Sequence, residues 1–350
     1  MRGLVKRAKN LVRAFLDSRL SYLFIRSKFM SGLYYILFSG NFKREQYAVL
    51  NGKVSHLKKL KNDKSNIYTL IRNTHRIEKG LLMRPRRRVF ALDYIEETTD
   101  AFINVWDRNL VSSEKQHKWF YDVLFEYFKV TEEHAVISNC RSKFEAKTNG
   151  CFKNGMVDNL SIPYNRDAKS RSTITYDEFY KLTKYRRSVR WFLSKPVPRE
   201  LVDKAILAAV QSPSACNRQP FEYRIIDDAN LLRKVRSIPR GVKGYENGIP
   251  MIVVVIGNLD AYFHERDRHI IYIDSSLANM TFMLALETLG LSSCSINWPD
   301  IEELELEMEE VLSLEKYQRP IMCMAIGYPD PEGKVAFSEK KSLSTIRKYN

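Results

Sequence analysis

Three guanidinium groups fall within five residues, at Arg186, Arg187 and Arg190, with Ser188 between them and an apolar Trp191-Phe192 step behind. Forked donors at fixed charge suit a phosphate. Further along, Pro213-Ser214-Ala215-Cys216-Asn217-Arg218-Gln219-Pro220 gathers hydroxyl and amide side chains in a short polar loop. Ser188, Ser214, Asn217 and Gln219 suit a polyol or the edge of a heterocycle. Together these residue types describe a site for an anionic small molecule rich in hydrogen-bonding groups. Each segment alone also has a plain explanation: a solvated basic turn, and an ordinary loop that ends a helix.

The elements that must position these residues can be read from spacing. Pro196 and Pro198 end the extended piece after the basic turn, and Pro198 fits the first turn of a helix, where its missing N–H costs nothing. Leu201, Val202, Ala205, Ile206, Ala208, Ala209 and Val210 recur at helical spacing, which predicts a helix from Glu200 to Val210. Residues 221–226 then read as a strand, 229–236 as a short helix, and the continuous apolar run 251–256 as a strand covered on both faces. Residues 274–289 are apolar on nearly every side, as in a helix that is buried or lies in a dimer interface. A strand and turn over 291–298, an acidic helix over 301–312 and a last core strand over 320–326 complete the alternation. The fold class expected is α+β, a mixed sheet flanked by helices behind a mainly α-helical N-terminal region.

The quoted segments resemble the opening of the FMN-dependent nitroreductase family. That family begins with an Arg-x-Ser-x-Lys/Arg-x-Phe turn, a PVP-type helix start and a PS-x-x-N-x-QPW/F loop. Arg186–Phe192, Pro196-Val197-Pro198 and Pro213–Phe221 match them, and the likeness runs to about Lys341. The resemblance implies FMN as cofactor, with Arg186, Ser188 and Arg190 gripping the phosphate and ribityl chain. It implies that Pro213, Ser214, Asn217 and Gln219 reach the ribityl and ring from the other subunit of an intertwined homodimer. It places Ser295-Ile296-Asn297-Trp298 at the turn that offers a backbone N–H to flavin N5. Trp298 stands where the family often has Gly, which bears on access to the ring. Lys340 or Lys341 is the basic residue expected to reach the phosphate. No side chain is implied as catalytic. The activity implied is ping-pong oxidoreduction, in which NADH or NADPH reduces FMN and FMN reduces a small acceptor.

Charge divides the 350 residues unevenly. Residues 1–90 carry 22 Lys/Arg against 4 Asp/Glu, and the remainder 35 against 37, so the whole excess behind the +16 net charge belongs to the front. That asymmetry points to an anionic partner for the N-terminal region. Two domains are expected: 1–165, basic and mainly helical, and 176–350, flavin-binding, with residues 141–175 as a linker rich in Asn-Gly, Ser, Thr and Lys. The five cysteines show no CxxC and no ligand-like spacing, so they read as thiols in a reducing, cytoplasmic setting without a metal centre.

At the front, Leu4, Val5, Ala8, Leu11, Val12, Phe15 and Leu16 alternate with Lys6, Arg7, Lys9 and Arg13 as in a basic amphipathic helix. Residues 1–40 could therefore lie on an anionic membrane surface, or pack their apolar face on the rest of the N-terminal domain. The stretch 20–38 is broken by Arg26, Lys28 and Gly32, a poor spanning helix, and no signal-peptide cleavage site follows it. NTHRIEKGLLMRPRRR over 73–88 reads as a helix ended by Gly80 and a solvated basic loop, and 91–135 as two or three packed helices. Two other classes compete with the enzyme: a flavin-binding module without turnover, and a basic membrane- or nucleic-acid-binding protein. Nucleic acid ranks last, because the aromatic and basic residues sit at helical spacing rather than on a base-stacking platform.

Overall fold

The computed structural model describes residues 19–62, 67–107, 115–148, 160–166 and 171–350. The basic helix expected over 1–16, and residues 149–159 and 167–170 of the expected linker, lie outside these residues. The described helices are α1 (Lys28–Tyr34), α2 (Lys43–Asn62), α3 (Ile67–Leu81), α4 (Ile95–Val105), α5 (Lys115–Val130) and α6 (Ala135–Thr148) in the front region. The C-terminal half holds α7 (Tyr176–Tyr185), α8 (Arg199–Ala209), β1 (Phe221–Ile226), α9 (Ala229–Ser237) and β2 (Met251–Asn258). It continues with α10 (Ile270–Thr288), β3 (Ser292–Asn297), α11 (Glu302–Leu312) and β4 (Gln318–Gly327).

The sheet has the order β1-β2-β4-β3, and every neighbouring pair is antiparallel. Its parallel component, among the described residues, is a single bridge between Ser188 and Ser293. Strand β2 is buried along its whole length because both faces are covered. The pleat sends Met251, Val253 and Val255 toward α8 and α10, and Ile252, Val254 and Ile256 toward α9 and α11. A bulge between Val255 and Ile256 shifts the register against β4. Along α10, Ile273, Leu277 and Met280 are exposed, so one apolar stripe of this helix is uncovered in the single chain.

Helices α3 to α6 form a separate core around Leu70, Ile77, Phe102, Phe120, Tyr127 and Phe144. Two expectations change here. The helix α6 runs on to Thr148 with Phe144 buried, so residues 141–148 are helix rather than linker. Gly80 lies inside α3 and does not end it. A Cβ on Gly80 would sit 2.3 Å from the Phe90 ring, so the residue is small to let the loop after α3 pack back.

Helix α2 packs across the C-terminal half. Ala48 shares a core cluster with Leu259, Ala261, Tyr262 and Ile271. A Cβ on Gly52 would meet the Leu259 backbone carbon at 2.7 Å, which is why the helix carries glycine at its point of closest approach. The buried His56 ring nitrogen Nδ1 lies 2.8 Å from the Asp260 carbonyl, and Lys59 pairs with the Asp260 carboxylate. Arg44 reaches Glu309 at 2.7 Å and lies 3.7 Å from Glu305.

Candidate flavin-binding site

The basic turn after α7 is seated on the edge of the sheet. Thr175 caps α7 in a reciprocal capping box with Glu178, and Arg186 closes the helix. The chain then runs beside β3: the Val189 N–H donates to the Ser293 carbonyl at 3.0 Å. This sets Ser188 against Ser293 near the start of β3, the strand that goes on to Ser295, Ile296 and Asn297. Leu193 N–H donates to Tyr328, and Asp330 N–H to Trp191, which ties the segment to the end of β4.

Arg186, Arg187 and Arg190 form no ion pair among the described residues. The Arg186 Nε is buried and has no hydrogen-bond partner, and the neighbouring Ser293 hydroxyl is likewise unsatisfied. Arg190 makes a long 3.4 Å contact to the Ser188 carbonyl, and its guanidinium lies 6.0 Å from the Tyr245 ring centre. A buried donor left without a partner costs about 1–3 kcal/mol, so the turn is built to receive acceptors. Glu287 on α10 is the acid that feels this turn. Burial pushes its carboxyl up, while the Ser292 hydroxyl and the field of Arg186 pull it back.

The polar loop is held elsewhere. Ser214 Oγ donates to Asp274 Oδ2 at 2.6 Å, and the Ala215 N–H donates to the same oxygen at 3.0 Å. The Gln219 N–H donates to Ser214 Oγ at 2.8 Å, and the Gln219 amide reaches Asn217 Oδ1 at 3.1 Å. Cys216, Asn217 and Gln219 all have left-handed backbone, with φ of 54°, 55° and 48°. Asn tolerates that region; Cys and Gln do so at a cost of order 1–3 kcal/mol each, which the surrounding bonds must offset. Pro213 is exposed at the start of the loop. Among the described residues no hydrogen bond joins this loop to the basic turn.

The remaining expected residues are placed as follows. Ser295, Ile296 and Asn297 are strand residues paired with Met324, Cys323 and Met322, and the chain turns only at Trp298. Trp298 points into the core beneath α11 and donates its indole N–H to Glu305 at 2.7 Å, so its bulk is not on the turn surface. Lys340 and Lys341 are exposed beyond β4 and make no side-chain bond to the basic turn among the described residues. Sequence reasoning missed Asp274, the buried anchor of the loop. An acid in the first turns of a largely apolar helix was the available signal.

The site and sheet define an α+β domain with a cationic turn on one sheet edge and an amide-bearing loop on a buried helix. The nitroreductase family model matches residues 183–241 and 247–328, all within the C-terminal half of the chain. The iodotyrosine deiodinase 1 of Rattus norvegicus is 21% identical over 218 residues, covering 54% of this chain and 75% of the relative. A Methanothermobacter thermautotrophicus protein, provisionally named NADH dehydrogenase/NAD(P)H nitroreductase, is 28% identical over 150 residues, covering 42% of this chain and 74% of that protein. Among solved structures, an FMN-dependent nitroreductase from Clostridium difficile R20291 aligns with a TM-score of 0.42 and 23% identity, over 48% of this chain and 98% of its own.

Proposed function

We propose that the protein is an FMN-dependent oxidoreductase whose C-terminal half, 176–350, carries the flavin, while residues 1–165 form a basic helical domain. The observation that carries this is the buried, unpartnered Arg186 Nε in a turn of three guanidinium groups that form no ion pair among the described residues, inside the family match. That donor set fits a flavin phosphate. Arg186, Ser188 and Arg190 would hold the phosphate and ribityl chain, with Lys340 or Lys341 as a further cation. Pro213, Ser214, Asn217 and Gln219 would come from the second copy of a homodimer, in line with the uncovered stripe of α10. Ser295, Ile296 and Asn297 would line the ring side, along the strand the basic turn leans on. Bound FMN would supply the two-electron chemistry, taking hydride from NADH or NADPH and passing it to a small acceptor in ping-pong order.

The test is an absorbance scan of the purified protein, followed by anaerobic mixing with NADH and NADPH. A yellow, dimeric protein bleached by one of them is expected. A yellow protein that neither donor bleaches is the binding module without turnover. A colourless protein that takes up no added FMN overturns the reading. Iodinated tyrosines belong in the acceptor screen because of the deiodinase relatives.

A second observation favours a membrane surface for the front of a cytoplasmic protein. No helix among the described residues is long and apolar enough to cross a membrane. Yet Tyr22, Ile25, Phe29, Ile36 and Leu37 are all exposed, beside Arg26, Lys28 and Lys43. Flotation with anionic liposomes, with and without residues 1–40, decides this; equal flotation of both forms rejects it.

A further inference from the structure

A cleft of about 440 Å³ lies where the front helices meet the C-terminal half. Ile67 and Ile71 of α3 form one wall, and Val210 and Phe221 the other, with Arg218, Gln219 and Tyr223 also in the lining. Arg218 is 91% buried, its relative exposure being 9%. Its Nε has no hydrogen-bond partner, and no carboxylate among the described residues pairs with it. Its guanidinium carbon lies 4.6 Å from the Tyr262 ring centre, so an aromatic face is its visible neighbour. Arginine at this depth ordinarily has an anionic partner. The Tyr223 hydroxyl in the same lining is also buried and unpartnered.

The local field is positive. The one carboxylate in the lining, Glu222, is engaged by Arg224 at 2.7 Å and by the Gln318 amide at 3.3 Å. Arg72 of α3 stands nearby, paired with Glu97 at 3.3 Å, and its guanidinium is pushed down by burial and by Arg218, despite the pull of Glu97. A positive, partly closed cleft with apolar walls and two orphaned polar groups is a built site.

We infer that this cleft binds a small aromatic carboxylate, its ring between the α3 and Phe221 walls and its charge on Arg218. One buried guanidinium balances one negative charge, and the Tyr223 hydroxyl supplies a second donor. A phosphate dianion would exceed that charge, and Glu222 in the lining would repel the excess. The cleft is formed by one chain; it shares Gln219 with the proposed flavin contacts, while Arg218 and Tyr223, which carry the inference, are not among those contacts.

The test is isothermal titration calorimetry of the full chain with benzoate, benzyl alcohol and inorganic phosphate. Benzoate is expected to bind about tenfold or more tightly than benzyl alcohol, since the lost interaction is a charge-assisted bond. Arg218→Gln should weaken benzoate by about the same factor. If that variant does not fold, Tyr223→Phe, which deletes only an unpartnered hydroxyl, should still weaken benzoate several-fold, about the value of one hydrogen bond. No heat with benzoate overturns the inference. So do equal affinities for benzoate and benzyl alcohol, tighter binding of phosphate, or an Arg218→Gln or Tyr223→Phe variant that binds benzoate as well as the parent.

Discussion

The Ser214 hydroxyl donates to the Asp274 carboxylate at 2.6 Å, and through it the amide-bearing loop is fastened to the buried helix α10. The same hydroxyl accepts from the Gln219 N–H, so one serine links the carboxylate to the far end of the loop. Three left-handed residues between these anchors give the loop a reason to spring open when the anchor weakens.

Asp274→Asn removes the charge from two hydrogen bonds while keeping the shape. A loss of about 2 kcal/mol in unfolding free energy is expected, read from urea denaturation. FMN titration by fluorescence quenching should show weaker binding in a chain that still folds. An unchanged midpoint with unchanged flavin affinity would show that the loop is held by other means.

Arg186→Gln tests the basic turn. The buried Nε makes no bond within the protein, so its loss should barely move stability. The flavin dissociation constant should rise about 10- to 100-fold, the worth of one charge-assisted bond. A variant that unfolds with normal flavin affinity would mean that Arg186 is structural.

Glu305 sits at the centre of a buried network: it accepts from Arg319 at 2.9 Å and from the Trp298 indole at 2.7 Å, with Arg44 at 3.7 Å. Glu305→Ala would leave the almost wholly buried Arg319 with one acidic partner, Asp300, at 2.9 Å. A destabilisation of about 3–5 kcal/mol is expected by denaturant melts. Arg319→Met together with Glu305→Leu should recover much of it, because an apolar pair leaves no buried charge.

His56 couples stability to pH. Burial lowers its pKa, and Arg218 and Arg72 add to the effect, while the Asp260 carbonyl opposes it. The folded state therefore resists protonation. The contribution is complete above the free imidazole value of about 6.5 and is lost as pH falls through the lower folded value. Thermal midpoints measured at about pH 7.5 and about pH 5.5 should separate more for the parent than for His56→Gln, which keeps an amide donor for Asp260. Equal separations would remove His56 from the account.

The C-terminal half was legible because its strands are continuous apolar runs and its helices carry clear periods. The run at 251–256 and the acidic helix at 301–312 lie within a residue or two of the observed elements. Local motifs also located the turn and the loop. The role of Gly80 was not legible, because nothing near it in sequence reveals that Phe90 returns to its surface. The place of Trp298 was not legible for the same reason: its partner Glu305 faces it only after α11 folds back. Asp274 and Arg218 matter through contacts with distant elements, which spacing cannot report.

Arg44 and Glu309 are separated by 265 positions, yet they touch at 2.7 Å. At a synthesis rate of roughly 5–20 residues per second, the ribosome needs about 13–50 s to make the second after the first. For most of that interval α2 has emerged while Leu259, Ala261, Tyr262 and Ile271, which cover Ala48, have not. The apolar side of α2 is therefore bare through most of the chain's synthesis.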